Sequence, residues 1–211
     1  MFPAIPFSFP GIDKDVDRLG DQLELLLESA GWSPAPAIAI LNLACGRADE
    51  TGILMARAAV AVKDRFYLGI DLRAPEIAEA RRRWLPSARP GDDMDFRCGD
   101  ASRTDRMSLL PDFDLIFIRH QNFWSDVPVW TRLFRNAIGK LKADGLLVIT
   151  SYFDREHELA SACLHQLGMK RISELRHFAS RALDDAPGKS VDRWLAAFRK
   201  AGQAEFQGRA Q

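Results

Sequence analysis

From about residue 37 the chain alternates short apolar runs with helical patterns, and this alternation constrains the fold more than any other feature. The runs "AIAILNLA", "FYLGID", "FDLIFIR" and "LLVITS" have strand length and are almost wholly apolar. Strands buried on both faces read that way, and such strands belong to parallel sheets. The segments "ETGILMARAAVAVK", "APEIAEARRRWL", "SDVPVWTRLFRNAIGKLKADG" and "REHELASACLHQLG" carry apolar residues at helical spacing. In the third of these, Asp126 is placed as N-cap and Gly145 as the stop, with an apolar face running from Val127 through Trp130, Leu133, Phe134, Ala137 and Ile138 to Leu141. "DMDFRCGD" alternates Met94, Phe96 and Cys98 against Asp95 and Arg97, the pattern of a half-exposed strand near an edge. Repeated strand–helix units imply a mostly parallel sheet with helices on both faces.

Both ends depart from the alternation. Residues 1–35 read as an N-terminal arm and helix, and residues 36–211 as one domain. The arm is rich in Pro and Phe and is expected to pack on the domain or to cover a ligand site. The helix "DVDRLGDQLELLLESAG" stops naturally at Gly31. At the far end "MKRISELRHFAS" and "SVDRWLAAFRK" read as two strands, with "DDAPGK" as the turn of an antiparallel hairpin.

Open parallel sheets bind ligands at the carboxyl ends of their strands, so the functional residues are sought there. The first strand ends in "NLACGRADETG". A dinucleotide fingerprint needs glycines where Ala44, Gly46 and Asp49 stand, and an aspartate there repels a pyrophosphate, so nicotinamide and flavin cofactors are set aside. The second strand ends at Asp71, before Leu72, where a carboxylate accepts hydrogen bonds from ribose hydroxyls. The third ends in "CGDAS"; Asp100, followed by Ala101, suits an adenine amino group, or an Asx turn. The fourth ends in "RHQNFW", where Arg119 and His120 are candidates for contact with cofactor or substrate and His120 for a general base. Phe123 and Trp124 read as packing, with an aromatic substrate wall as the alternative. Tyr152 and Asp154 follow the fifth strand on the substrate side.

Several tempting motifs carry nothing. "APGKS" lacks the earlier glycine of a phosphate loop and joins two strands instead of a strand and a helix. "EHE" at 156–158 has no metal-binding spacing, and no metal is expected. "RRRW" at 81–84 reads as a solvated helix face. Lys+Arg and Asp+Glu both number 29, so no global basic field draws the chain to nucleic acid or to an anionic membrane. Three distant cysteines and a proline-broken N-terminus without a basic region point to a reduced, cytoplasmic setting. Oligomeric state has no signature in the sequence.

Taken in order, "LNLACGRADETG", "YLGIDLR", "RCGDAS", "FDLIFIRH" and "LKADGLLVIT" resemble the motifs of the class I S-adenosylmethionine-dependent methyltransferases, over roughly residues 37–200. The resemblance implies a Rossmann-like α/β fold: a three-layer αβα sandwich whose seven-stranded, mostly parallel sheet has the order 3-2-1-4-5-7-6, with an antiparallel last pair. It implies S-adenosylmethionine as cofactor. Asn42, Ala44, Cys45 and Gly46 would line its methionine part, Asp71 and Leu72 its ribose, Asp100 and Ala101 its adenine. Arg119 and His120 would flank the sulfonium and the nucleophile. Where the family has an acidic residue this chain has Asn42, and where it has glycines this chain has Ala44 and Ala48. Alanine there implies negative φ or a loose backbone contact. Asp49 and Glu50 are candidates for the charge that Asn42 lacks. The expected activity is methyl transfer to a small molecule. The alternatives are a cofactor-binding or accessory protein without turnover, and an RNA or protein methyltransferase.

Overall fold

The computed structural model describes residues 11–107 and 109–202; the Pro/Phe-rich arm of residues 1–10 lies outside them. Seven strands form one sheet in the order β3-β2-β1-β4-β5-β7-β6. They are β1 (Ala37–Leu43), β2 (Asp64–Asp71), β3 (Asp92–Cys98), β4 (Phe113–Ile118), β5 (Leu141–Ser151), β6 (Met169–Arg176) and β7 (Trp194–Lys200). The first five run parallel, while β7 is antiparallel to both β5 and β6. The expected order and the antiparallel last pair are both present.

The period-two alternation of strand side chains divides the interior into two cores. In β1, Ile38 and Ile40 face one side, where they join Tyr67, Leu115 and Phe117. On that side lie α1 (Ile12–Ser29), through Leu19, Leu23, Leu26 and Leu27, and α3 (Ala74–Trp84), through Ile77 and Ala80. Ala39, Leu41 and Leu43 face the other side, against α4 (Val127–Lys140) and α5 (Asp154–Gln166). All of β4 is buried, as expected of a central strand. β3 is at the edge and only Phe96 of its apolar set is fully buried; Cys98 is exposed.

Four local expectations need correction. The segment after the first loop is not a regular α-helix: α2 spans Thr51–Ile53 and widens into a π-helical turn over Leu54–Ala58. The wider turn keeps Leu54, Met55 and Ala58 all buried. Second, Val127, expected on the buried face of α4, is exposed, because the fully buried part of that face begins nearly two turns later at Leu133. Third, Gly145 does not stop α4. Asp126 caps its start, with its carboxylate accepting from Val129 N, but the helix ends at Lys140 and Leu141 is already extended. Gly145 lies inside β5, opposite a register shift between Phe113 and Leu115 of β4. A Cβ there would stand 2.9 Å from Asp114 O and 3.0 Å from Phe113 O, so the close approach of the two backbones requires glycine. Gly145→Ala is expected to destabilise by about 1–3 kcal/mol, the usual cost of overpacking, read as a lower urea midpoint.

Fourth, the last hairpin is not tight. β6 ends at Arg176 and β7 starts at Trp194, so the expected strands were too long on their inner sides. "DDAPGK" does turn, with Lys189 N donating to Ala186 O, but within a long connection held by an isolated bridge between Ala182 and Ser190. That connection folds over the carboxyl end of the sheet, because Asp192 takes a positive φ of 48° and sends its carboxylate inward. Among the described residues no helix is long and apolar enough to cross a membrane.

Candidate functional site

The loop after β1 is held in three left-handed residues: Ala44 (φ 53°), Gly46 (φ 56°) and Ala48 (φ 54°). The two alanines therefore do not have the negative φ expected of them. They keep a glycine-like path at a cost of about 1–2 kcal/mol each. Local hydrogen bonds hold it: Cys45 N donates to Ile70 O, Ala48 N to Cys45 O, and Thr51 N to Ala48 O. Gly46 N donates to Asp71 Oδ2 at 2.8 Å. The Cys45 thiol is pushed well above its ordinary range by burial and by the nearby carboxylates of Glu50 and Asp71, so it is a packing group.

Asn42 is fully buried beneath this loop. Its Nδ2 donates to Glu50 Oε1 at 2.5 Å and to Tyr67 Oη at 2.9 Å. An aspartate in place of Asn42 would set two carboxylates against each other, so the buried acid of this corner is Glu50. Its other oxygen faces Arg119 Nη1 at 3.4 Å. Arg119 in turn binds Asp192, with Nη2 2.6 Å from Oδ2. The cluster holds two carboxylates and one guanidinium. Arg119 is raised above its ordinary range by the two carboxylates, against the effect of burial. Burial works against ionised Asp192 as well, but Arg119 and His120 outweigh it and hold this carboxyl far below the usual range.

His120 also has a positive φ, 54°. Its N–H donates to Thr150 Oγ1, its ring stacks on Tyr152 with centroids 3.9 Å apart, and Nε2 lies 2.8 Å from Asp192 Oδ1. Burial lowers its pKa and Arg119 adds to the effect, outweighing the raising effect of the Asp192 carboxylate, so His120 is neutral near pH 7. Nε2 thus faces both the Asp192 carboxylate and the Asp192 N–H, which donates to it at 3.3 Å.

A cavity of about 1140 Å³ opens over these groups at the carboxyl ends of β1, β4 and β5. Pockets for a single small ligand run to about 300–1,000 Å³, so this one has room for more than one. Ala44, Cys45, Gly46, Arg119 and His120 all border it. Its far wall comes from Asp15 of α1 and Arg181 of the β6–β7 connection, paired at 2.5 Å.

The structure places Asp71, Leu72, Asp100 and Ala101 apart from this wall. Asp71 is buried, and Arg73 borders the cavity instead. Asp71 accepts from Gly46 N, Arg73 N, Arg73 Nε and Arg73 Nη2. Burial raises its pKa but these hydrogen bonds bring it below the ordinary value. A carboxylate has about four acceptor positions, and all four are engaged, two of them by a side chain that is 61% exposed. Leu72 is exposed and Ala101 buried; Asp100 closes an Asx turn with Ser102 N at 2.9 Å and faces Arg103. Gln121 is structural, bonded to Ser151 and Phe123 N. Phe123 packs on Phe134, whereas Trp124 is 42% exposed and borders the cavity, as does Tyr152. Asp154 ties α5 to β7 through Arg193 and Trp194. Each arginine of "RRRW" has a local partner: Phe96 O, Glu79 and Asp49.

Asp192 and Glu156 were not foreseen. Asp192 lies 73 residues from Arg119 in a stretch that reads as strand, and no motif marks it. Glu156 sits in "EHE", which drew attention only as a failed metal motif. Among the described residues no cluster suited to a metal ion occurs.

The strand order, the flanking helices and the loop after β1 define the class I Rossmann-like methyltransferase fold. No protein-family model and no curated protein sequence matches the chain. Solved structures do. An S-adenosylmethionine-dependent methyltransferase from Clostridium acetobutylicum is similar with a TM-score of 0.64 at 12% identity, over 89% of this chain and 92% of that one. The N-methyltransferase NodS from Bradyrhizobium japonicum has a TM-score of 0.62 at 19% identity, covering 92% and 98%. Magnesium protoporphyrin IX methyltransferase from Synechocystis, with bound S-adenosylmethionine, has a TM-score of 0.60 at 13% identity, covering 92% and 86%.

Proposed function

We propose that this protein is an S-adenosylmethionine-dependent methyltransferase acting on a small molecule. The observation that carries this reading is the cavity over β1, β4 and β5, bordered by the left-handed Ala44 and Gly46, by Glu50 and by Arg119, with Asp192 buried behind Arg119. Two carboxylates against one guanidinium favour a cationic ligand, and the bound cofactor would supply a methyl already activated on a sulfonium. The residues fit that group, with one condition. Asp71 becomes free for ribose hydroxyls only when the exposed Arg73 side chain swings off it. The residues' own tasks are to bind, to align and to exclude water. His120, neutral, bordering the cavity and fixed between Tyr152 and Asp192, is the group that takes the proton a nucleophile sheds. The cavity's enclosure by the β6–β7 connection and the local pairing of Arg81, Arg82 and Arg83 support a small acceptor over RNA.

A cofactor-binding protein without turnover is the second reading, favoured by the saturation of Asp71. Calorimetric titration with S-adenosylmethionine and S-adenosylhomocysteine tests the cofactor assignment. Both are expected to bind, Asp71→Ala to weaken binding at least about tenfold, and Arg73→Ala to strengthen it. Failure of the wild-type protein to bind either compound overturns the cofactor reading. Binding without methyl transfer to any of a broad panel of acceptors selects the second reading.

A further inference from the structure

On the β5 side of the cavity the wall changes character. Trp124 and Phe153 meet at 4.9 Å between ring centroids, tilted by 51°, and Tyr152 stands beside them. Glu156, in the first turn of α5, borders the same wall and is fully buried. Its Oε2 accepts from Tyr152 N at 2.9 Å, the Phe153 N–H also acts on the carboxyl, and its Oε1 has no partner at full hydrogen-bond geometry among the described residues. A buried carboxyl oxygen without a donor is costly unless something supplies one. A carboxylate beside aromatic faces is the arrangement that recognises an ammonium group.

We propose that Glu156, with Trp124 and Phe153, is the subsite that selects a methyl acceptor carrying a protonated amine. This rests on the methyltransferase reading only for the word acceptor; the amine site stands on its own geometry. The charged and titratable groups facing Glu156 are Lys189 and Tyr152. Lys189 is paired with Asp185 at 2.6 Å and sits 4.7 Å over the Tyr152 ring, so that wall already holds one ammonium. Its neighbour His157 is turned away, bonded to Ser151 and Glu174. Burial lifts the Glu156 carboxyl to about 7, above the lowering effects of the Tyr152 and Phe153 backbone and of Lys189. An alkylamine keeps its proton to about pH 10, so the charge pair forms as Glu156 ionises.

The test is calorimetry on the full chain with 2-phenylethylamine, 2-phenylethanol and phenylacetate, which share a ring and differ in charge. The amine is expected to bind at least about tenfold tighter than the alcohol, and tighter at pH 8 than at about pH 6 as the carboxyl ionises. Glu156→Gln keeps an acceptor for Tyr152 N and is expected to abolish both the preference and the pH dependence. Trp124→Ala, at a partly exposed position, is expected to weaken the amine alone. Equal binding of amine and alcohol, tightest binding of phenylacetate, or a preference that survives Glu156→Gln overturns the proposal. S-adenosylhomocysteine titrated into the same samples reports on the cofactor reading separately, because the amine arm is read without it.

Discussion

Asp192→Ala is expected to destabilise the protein by about 3–5 kcal/mol, the usual cost of leaving a buried charge without its partner. Arg119 would keep only Glu50, at 3.4 Å, in place of the 2.6 Å contact to Asp192. His120 would lose the group facing Nε2, and with it the fixed orientation of its ring. A urea titration should show a lower midpoint with an unchanged slope. The sign of the pH dependence follows from the depressed carboxyl. A group whose folded pKa lies below its unfolded value of about 3.9 contributes stability above that value and loses it only in stronger acid. The gap between wild type and variant should therefore be constant from about pH 5 to pH 8 and close only in acid. A variant that unfolds at the wild-type midpoint would mean that Asp192 is not what holds the β6–β7 connection over the site.

Asn42→Asp restores the acidic residue usual in this fold and is nevertheless expected to destabilise. The new carboxylate would replace an amide that donates to Glu50 at 2.5 Å. Two carboxylates sharing a buried site force one pKa up by about 3 units, or about 4 kcal/mol at neutral pH. The loss should shrink as the pH falls, because one of the pair is then protonated. Adding Glu50→Gln returns a donor to the site, and the double variant is expected to recover about 2 kcal/mol relative to the sum of the singles. Additive losses would mean that Glu50 has not taken over the charge of position 42.

The strands were legible in the sequence because burial on both faces leaves an unbroken apolar run, as in "FDLIFI", and such runs are read locally; their order came only from the resemblance of the strand-end motifs. The places of Ala44, Gly46, Arg119 and His120 at the strand ends followed from the same pattern. Gly145 and the ends of β6 and β7 were misread for a related reason. A glycine after a helix and polar residues beside a strand look alike in sequence, whether they stop the element or make room for a neighbouring backbone. The long connection from β6 to β7 was hidden because "SVDRW" continues a strand pattern, and only a carboxylate drawn inward turns it away at Asp192.

What the sequence determined by itself is the parallel sheet and the set of loops that meet at its carboxyl end. Tertiary structure alone decided which polar groups meet there: Glu50 with Asn42 and Arg119, Asp192 with Arg119 and His120, and Asp15 with Arg181. Strand and helix periodicity arises from residues two to four apart that share one face. The Asp192–Arg119 and Asp15–Arg181 pairs join residues 73 and 166 apart in the chain, and their energy comes from burial and short distance, neither of which leaves a periodic trace.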